Sequence, residues 1–513
     1  MPINQRKAGV ILSYLSMSLN ILIGFLYLPI LLRYLGKAEY GLYQLMGSVI
    51  AYLAVMDFGL SSTITRYYSR YLALNDHKRQ SNVLAVSSII YSLISVILVI
   101  LGSIIYLNLD KVFSNSLSIY ELIKAKQIFI IMLINVAITI PSHIFTAIIN
   151  SHERFIFLRV LSIIQTVMQP ILILFIMRYR ADAVSLVVVQ SVLNIITIVL
   201  KAYYSFCQIG VQIKLYFYDK IFIREILVFS FFIFMNTIID QIYWKTGHII
   251  LGIISGTSVV AIYSIAIQLV MYYINFSANI NSVFLPRISA ITARTEDMTE
   301  INQIFNKVGR IQFTIMSLIL TGFVLYGREF MGIWIGKDFV NAYYMSLVIM
   351  IPLTIPLIQN MGIIILQAKN KHAFRSKIYF IIAIINIVIS IPLAKLYGGL
   401  GPALGTAMGL FIGNIVVINI YYHRVIGINI IAFTKEIYSM SIPAFISLAI
   451  GTIIKWYLEV KTLEVLALNI IVYTFIFMSF MWLLGFNDYE KGLLKNGCLR
   501  IKKRMGKLIG LTD

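Results

Sequence analysis

Long runs without a charged residue constrain this chain more than any other feature. The first, from Ala8 to Leu32, holds no Asp, Glu, Lys or Arg. A helix needs about 20 apolar residues to cross the hydrocarbon core of a bilayer. Inside lipid every backbone N–H and C=O must be satisfied internally, so runs of this length dictate a bundle of spanning helices. Counting predominantly apolar runs, with at most an isolated charge or two, fourteen qualify, at approximately 9–32, 40–65, 81–109, 127–151, 160–177, 183–205, 227–254, 259–285, 311–327, 342–368, 378–397, 402–422, 438–458 and 465–486. The first is too long for a signal-peptide core of about 7–15 residues and lacks a small-residue cleavage site, so it reads as a membrane helix. Composition agrees: 60% of residues are hydrophobic and 12% charged, against about 45–50% and about 25% in soluble domains. The expected class is therefore an all-α polytopic membrane protein with about fourteen transmembrane helices and no separate soluble domain.

The distribution of Lys and Arg orients the bundle. With the N-terminus inside, cytoplasmic segments hold 29 of the 42, outer ends and loops hold 12, and Lys245 lies within a helix. The excess predicts both termini in the cytoplasm and an even number of crossings. The net charge of +21 then faces anionic headgroups. No basic stretch is interleaved with aromatics on a soluble surface, so nucleic acid is not an expected partner. Cys207 and Cys498 both fall in segments assigned to the cytoplasm, where a disulfide is not expected.

A helix–turn–helix stretch occurs twice. The first copy, Val10 to Tyr71, turns at Arg33-Tyr-Leu-Gly36-Lys-Ala-Glu-Tyr-Gly-Leu-Tyr43, and the second, beginning near Phe229, turns at Gly256-Thr-Ser-Val-Val-Ala-Ile-Tyr263. In both, a Gly precedes a Tyr by seven positions, and the copies are offset by 220. Fixed spacing at a fixed offset indicates internal duplication. Pro170 and Pro392, 222 apart, fit the same repeat. The expected organisation is an N-terminal six-helix lobe over 1–205, a cytoplasmic interfacial linker over 206–226, and a C-terminal six-helix lobe over 227–423. Helices 13 and 14 over 424–486 and a basic cytoplasmic tail over 487–513 complete it. Six helices per lobe make the repeats parallel, related by an axis along the membrane normal, as in transporters that rock one half against the other. Pro29, Pro141, Pro352 and Pro356 also interrupt helices, as static kinks or as hinges. Gly401, Gly405, Gly409 and Gly413 leave one helix face as bare backbone, suited to close packing or to a smooth pathway wall.

Ionisable groups deep in a membrane are costly and point to function. Helix 7 carries Asp240, Gln241, Lys245 and His248, of which Gln241, Lys245 and His248 follow i, i+4, i+7 and share a face. Two uses fit: a cationic patch for an anionic headgroup or an ion relay, and an internal Asp240–Lys245 pair that orients helices. Asp57 on helix 2 has two uses as well, pairing with Arg66 or facing the cavity between the halves. Arg33, Arg66 and Arg70 stand at helix ends, where snorkelling to headgroups is the ordinary role. Gln190, Gln268, Gln359 and Asn360 suit sugar hydroxyls or interhelical hydrogen bonds. No nucleotide-binding loop is present, no second His follows His152-Glu153, no Gly-x-Ser-x-Gly occurs, and the six histidines have no metal spacing. No enzyme activity, metal or cofactor is expected.

The arrangement Leu32-Arg33-Tyr34-Leu35-Gly36-x3-Tyr40-Gly41-Leu42-Tyr43, followed by Asp57-Phe58-Gly59-Leu60 and Arg66-Tyr67, resembles the N-terminal signature of Wzx-type polysaccharide flippases of the MATE-like (MOP) superfamily. Ile249-Ile-Leu-Gly252, Gly256 and Ile262-Tyr263-Ser264-x-Ala266 are also similar to that family. The resemblance spans nearly the whole length. It implies an undecaprenyl-pyrophosphate-linked oligosaccharide as substrate, moved from the cytoplasmic to the outer leaflet of a bacterial cytoplasmic membrane. It further implies membrane lipids, a polysaccharide polymerase and chain-length proteins as partners. Lys245, Asp240, His248, Gln241, Asp57, Arg66 and Arg33 are the cavity candidates for substrate binding or ion coupling. Two alternatives within the superfamily are a lipid II flippase and a cation-coupled drug exporter. An alternative of another class is a membrane-embedded polymerase or acyltransferase, against which stands the shortness of the longest outer loop, Asp110 to Lys126.

Overall fold

The computed structural model describes residues 5–217, 220–281, 285–294, 297–369 and 371–495. Of the basic tail, only the part through Lys495 is among them; Cys498, Arg500, Lys502, Lys503, Arg504 and Lys507 lie outside the described residues. Described residues form helices and short connections, with no strand among them.

In chain order the helices are α1 (Gln5–Ala54), α2 (Leu60–Ala73), α3 (His77–Phe113), α4 (Ile119–Ser151), α5 (Phe155–Met177), α6 (Ala183–Tyr203), α7 (Lys220–Ile254) and α8 (Thr257–Asn281). They continue with α9 (Leu285–Arg294), α10 (Thr299–Trp334), α11 (Asn341–Ile358), α12 (Met361–Ala368), α13 (His372–Tyr397) and α14 (Leu400–Leu410). The last are α15 (Ile418–Tyr421), α16 (Ile430–Tyr457) and α17 (Leu463–Phe480). Twelve segments among the described residues are long and apolar enough to cross a membrane. The first of them, Ile11–Ala73, has 63 residues, about three times one crossing. It turns at Gly36, where φ is 73° and ψ is 174°, a conformation open to glycine. Taking that segment as two crossings and adding the 35-residue α7 restores the expected fourteen. The protein is a multi-pass, all-helical membrane protein.

Two compact units emerge from the packing. One comprises Met1–Ile265 with Ala383–Pro402, the other Ala266–Ile382 with Ala403–Asp513. In the first, α1 packs on α4, α5, α6 and α7, and α4 packs on α2, α3 and α6. Polar groups join these helices in lipid. Asn194 on α6 donates to Asn135 Oδ1 (2.7 Å) and to Thr139 Oγ1 (2.6 Å) on α4. Pro141 inside α4 lacks an N–H, which leaves the Ala137 carbonyl one turn back without its helical donor. The Ser95 hydroxyl of α3 donates to that carbonyl at 3.1 Å, the kind of rescue that makes proline tolerable in a spanning helix. Ser95→Ala is expected to lower stability by about 0.6 kcal/mol, the usual size of an interhelical bond in a bilayer, as read from the thermal unfolding midpoint in detergent.

In the second unit α10 packs on α11, α16 and α17. The Tyr273 hydroxyl pairs with Thr354 Oγ1 at 2.7 Å, and Ser277 donates to the Leu357 carbonyl at 2.8 Å and accepts from Asn360 at 3.0 Å. Phe305 on α10 meets Phe433 on α16 edge-on, ring centroids 4.8 Å apart. Arg310 of α10 is buried in a bidentate pair with Glu490.

The structure corrects one of these expectations and adds detail to two others. The second run, read as unbroken over 40–65, is interrupted: α1 ends at Ala54, Val55–Asp57 form a 3-10 turn, and Phe58 (φ 52°) and Gly59 (φ 64°) are both left-handed before α2 begins. Within the expected linker, residues 209–217 adopt neither helix nor strand and α7 already begins at Lys220. Asn82, itself buried, holds this stretch by accepting from the N–H groups of Tyr216 (3.0 Å) and Phe217 (3.1 Å). Of the glycine stripe, Gly413 has no room for a Cβ beside the Ile382 side chain, nor Gly401 beside the backbone of Leu393 and Ala394. At these two positions close packing is the reason for glycine.

Candidate functional site

The two copies of the repeated turn meet in the first unit. Gly256 matches Gly36 in its left-handed backbone, with φ 79°. A Cβ placed on Gly41 would overlap the Thr257 carbonyl and stand 3.2 Å from the Ala261 nitrogen, and Ala261 is the residue 220 positions after Gly41. Leu45 fills the space in front of Gly252, whose carbonyl accepts from Ser116 Oγ at 2.6 Å. Thr257 Oγ1 donates to Glu121 Oε1 at 2.7 Å, and Glu121 also completes the capping box with Ser118 that starts α4. The crossing of α1, α7 and α8 is thus pinned by backbone contact and short polar bonds.

Beside it lies a cluster of hydroxyl and amide groups. Tyr43 and Gln190, on α1 and α6, exchange a hydrogen bond at 3.0–3.2 Å. Gln44 donates to the Tyr40 hydroxyl at 2.7 Å, and the rings of Tyr40 and Tyr43 lie 6.3 Å apart. The Tyr27 hydroxyl is buried without a hydrogen-bond partner. Gln190 serves the interhelical role that its place in a spanning run allows. Tyr43 carries the repeated spacing from Gly36, and Tyr40 belongs to the same turn, but the tyrosines bear no charge, so reading by ionisable groups passed over them as site residues.

The polar stretch of α7 packs toward α1 and α8. Tyr52 on α1 bonds to the Thr246 hydroxyl and donates to the Gln241 carbonyl at 3.4 Å. His248 is 2% exposed, with its ring edge-on to Tyr263 at 5.0 Å between centroids and its Nδ1 without a partner. Gly247 permits this, since a Cβ there would come within 2.5 Å of the Tyr263 hydroxyl. Gln241 and Lys245 are half-buried, and Gln241 Oε1 is unpartnered. The shared face of Gln241, Lys245 and His248 therefore turns inward, while Asp240, next to Gln241 on the helix, is exposed.

Asp57 takes a partner that sequence reasoning did not find. Its Oδ1 lies 2.9 Å from Nδ1 of His143 on α4, two residues beyond Pro141. The left-handed pair Phe58–Gly59 ends the helical turn directly after Asp57, so the residues after it no longer follow from helical spacing. Nothing in the sequence flags a bond across 86 positions; a histidine in a spanning run beside a proline was the available signal. Arg66 is exposed on α2 above the Tyr67 ring, and Arg33 is exposed on α1 near the Gly36 turn. Among the described residues no three His, Cys, Asp or Glu side chains stand together as a metal site would require. The arrangement offers a half-buried cation, an acid–imidazole pair at a helix break and a cluster of hydroxyls and amides.

Residues 7–292 match the family model described as polysaccharide biosynthesis protein. The chain belongs to that family. Within known relatives, a Shigella flexneri protein named as an O-antigen transporter is 22% identical over 385 residues, covering 74% of this chain and 88% of that protein. A Haloferax volcanii protein named as a low-salt glycan biosynthesis flippase is 23% identical over 195 residues, covering 37% of this chain and 40% of its own length. Among solved structures, the lipid II flippase MurJ in an inward closed conformation superposes with a TM-score of 0.72 at 17% identity, covering 92% of this chain and 98% of that one. The family match takes in both repeated turns, the Asp57 break and all of α7, and the likeness to MurJ establishes a shared fold.

Proposed function

We propose that the protein is a flippase for lipid-linked oligosaccharides. It would move undecaprenyl-pyrophosphate-linked repeat units from the cytoplasmic to the outer leaflet of a bacterial cytoplasmic membrane, with both termini in the cytoplasm. The observation that carries this reading is the family match over residues 7–292, which includes the polar stretch of α7; the transporter and flippase relatives support it. The physical demands of such a substrate suit the residues present. A pyrophosphate needs a cation away from bulk water, and Lys245 is half-buried in α7. Sugar hydroxyls need exchangeable partners, and Tyr27, Tyr40, Tyr43, Gln44 and Gln190 supply hydroxyls and amides. Rocking of residues 1–205 against 227–423 would give alternating access. Asp57 with His143, Asp240, Gln241 and His248 are the groups through which an ion gradient could couple, and Arg33 and Arg66 would meet headgroups at the entrances. A polymerase and chain-length proteins would receive the product.

The test is a sided assay in proteoliposomes. One leaflet is loaded with undecaprenyl-pyrophosphate oligosaccharide, and its exposure to an external glycan-cleaving enzyme is followed. Wild type is expected to expose the glycan. Lys245→Ala is expected to slow it about tenfold, the equivalent of one lost charge-assisted hydrogen bond. Equal rates would remove Lys245 from the site, and no movement under any ion gradient would sink the flippase reading.

A further inference from the structure

An apolar groove of about 490 Å³ lies in the first unit among α2, α3 and α7. Phe58, Leu93, Ile97, Leu215 and Phe231 line it, and Ser230 is its polar member. The Ser230 hydroxyl is buried 3.3 Å from Thr63 Oγ1, which leaves the groove little to offer a ligand that needs hydrogen bonds. One side is open. Ile89, Leu93 and Ile97 recur every fourth residue along α3 and are 50%, 59% and 48% exposed. On a spanning helix that row faces hydrocarbon, so the groove opens into the bilayer.

Two further features distinguish it from an ordinary lipid-facing dent. The first is where it ends. Phe58 follows Asp57 directly, has a left-handed backbone (φ 52°) that a non-glycine residue adopts only under strain, and sets its ring 4.6 Å from that of Phe234 on α7. A strained residue thus joins the groove wall to the Asp57–His143 pair. The second is a cationic stripe. Lys220 and Arg224 precede Phe231 on α7 by eleven and seven positions, which returns all three to nearly the same helical face. Both cations are exposed. Arg224 lies about 10 Å and Lys220 about 16 Å along the axis from Phe231 at 1.5 Å per residue. Apolar groove and cations together have the outline of an amphiphile with a long chain and an anionic head.

We infer that this groove holds the polyprenyl chain of the lipid-linked substrate, with Lys220 and Arg224 receiving its phosphate groups as it loads. The inference rests on the flippase reading for the identity of the chain and adds the place where that chain rides.

The test uses full-length protein in proteoliposomes and a photoactivatable polyprenyl pyrophosphate, with cross-links mapped by mass spectrometry. Labelling is expected on α3 around Leu93–Ile97 and on α7 around Phe231. Leu93→Trp and Ile97→Trp, both at exposed positions, should each cut labelling about tenfold by filling the groove. Leu107→Trp, elsewhere on α3 at 70% exposure, should leave it unchanged. Lys220→Gln combined with Arg224→Gln should weaken labelling by the pyrophosphate and spare labelling by an uncharged polyprenol probe. Excess phosphatidylglycerol should fail to compete. Competition by excess phosphatidylglycerol would mean a general lipid site and overturn the proposal, as would labelling confined to other helices. Binding is read here without transport. Wild type that flips but labels elsewhere defeats the groove alone, and wild type that labels here but never flips defeats the flippase reading alone.

Discussion

Gly41→Ala is expected to abolish transport and to lower the thermal unfolding midpoint, although it adds a single methyl group. The added carbon would overlap the backbone carbonyl of Thr257, and backbone cannot rotate aside as the tip of a side chain can. The start of α8 is not free to retreat, because Thr257 is tied to Glu121 at 2.7 Å and Gly252 to Ser116 at 2.6 Å. Overpacking in a well-packed interior costs about 1–3 kcal/mol, and a clash with anchored backbone belongs at the upper end. Gly332→Ala is the matched control: it stands in α10 with nothing within 4 Å of a new Cβ, so it should be neutral or slightly stabilising through helix propensity. Wild-type stability and flipping in Gly41→Ala would show that the two turns do not meet as described.

Glu490→Gln and Arg310→Met should each destabilise strongly, and the double replacement by methionine should recover most of the loss. Arg310 and Glu490 are 6% and 5% exposed. Arg310 Nε and Nη2 donate to the two carboxylate oxygens at 2.6 and 2.8 Å, and Nη2 also reaches the Gly485 carbonyl at 2.8 Å. Glu490 accepts in addition from the Asn487 N–H at 2.9 Å, and Glu436, itself held by Asn306, stands 3.6 Å from Arg310 Nη1. Removing one partner strands a buried charge, at about 3–5 kcal/mol, whereas replacing both with apolar groups of similar volume is often close to neutral. Unfolding midpoints of the two single variants and the double variant check this. Additive losses would mean that the two side chains do not depend on each other.

Much of the fold was legible because a bilayer leaves the backbone few choices. Run length alone gave the class and the fourteen crossings, and the 220-residue offset located two turns that the structure brings together at Gly41 and Ala261. The site was legible in part. The face shared by Gln241, Lys245 and His248 does turn inward, since helical spacing is local. What distance in sequence hides was missed. His143 lies 86 positions from Asp57, and Glu490 lies 180 from Arg310. The break after Asp57 also escaped, because Phe58 is an unlikely residue for a left-handed backbone and apolar run length is blind to such a turn.

The Arg310–Glu490 bond also counts membrane crossings. Arg310 sits near the start of α10 and Glu490 just past α17, and six of the candidate spans run between them. Two side chains 2.6 Å apart must share one face of a hydrocarbon layer about 30 Å thick, which only an even number of passes allows. The contact therefore acts as a parity check on the chain's insertion. A molecule that skipped or added one crossing between Glu436 and Glu490 would leave Arg310 and Glu490 on opposite faces, Arg310 with Glu436 alone and Glu490 without its counter-charge. Correctly threaded and misthreaded molecules would then differ by the full cost of an unpaired buried ion.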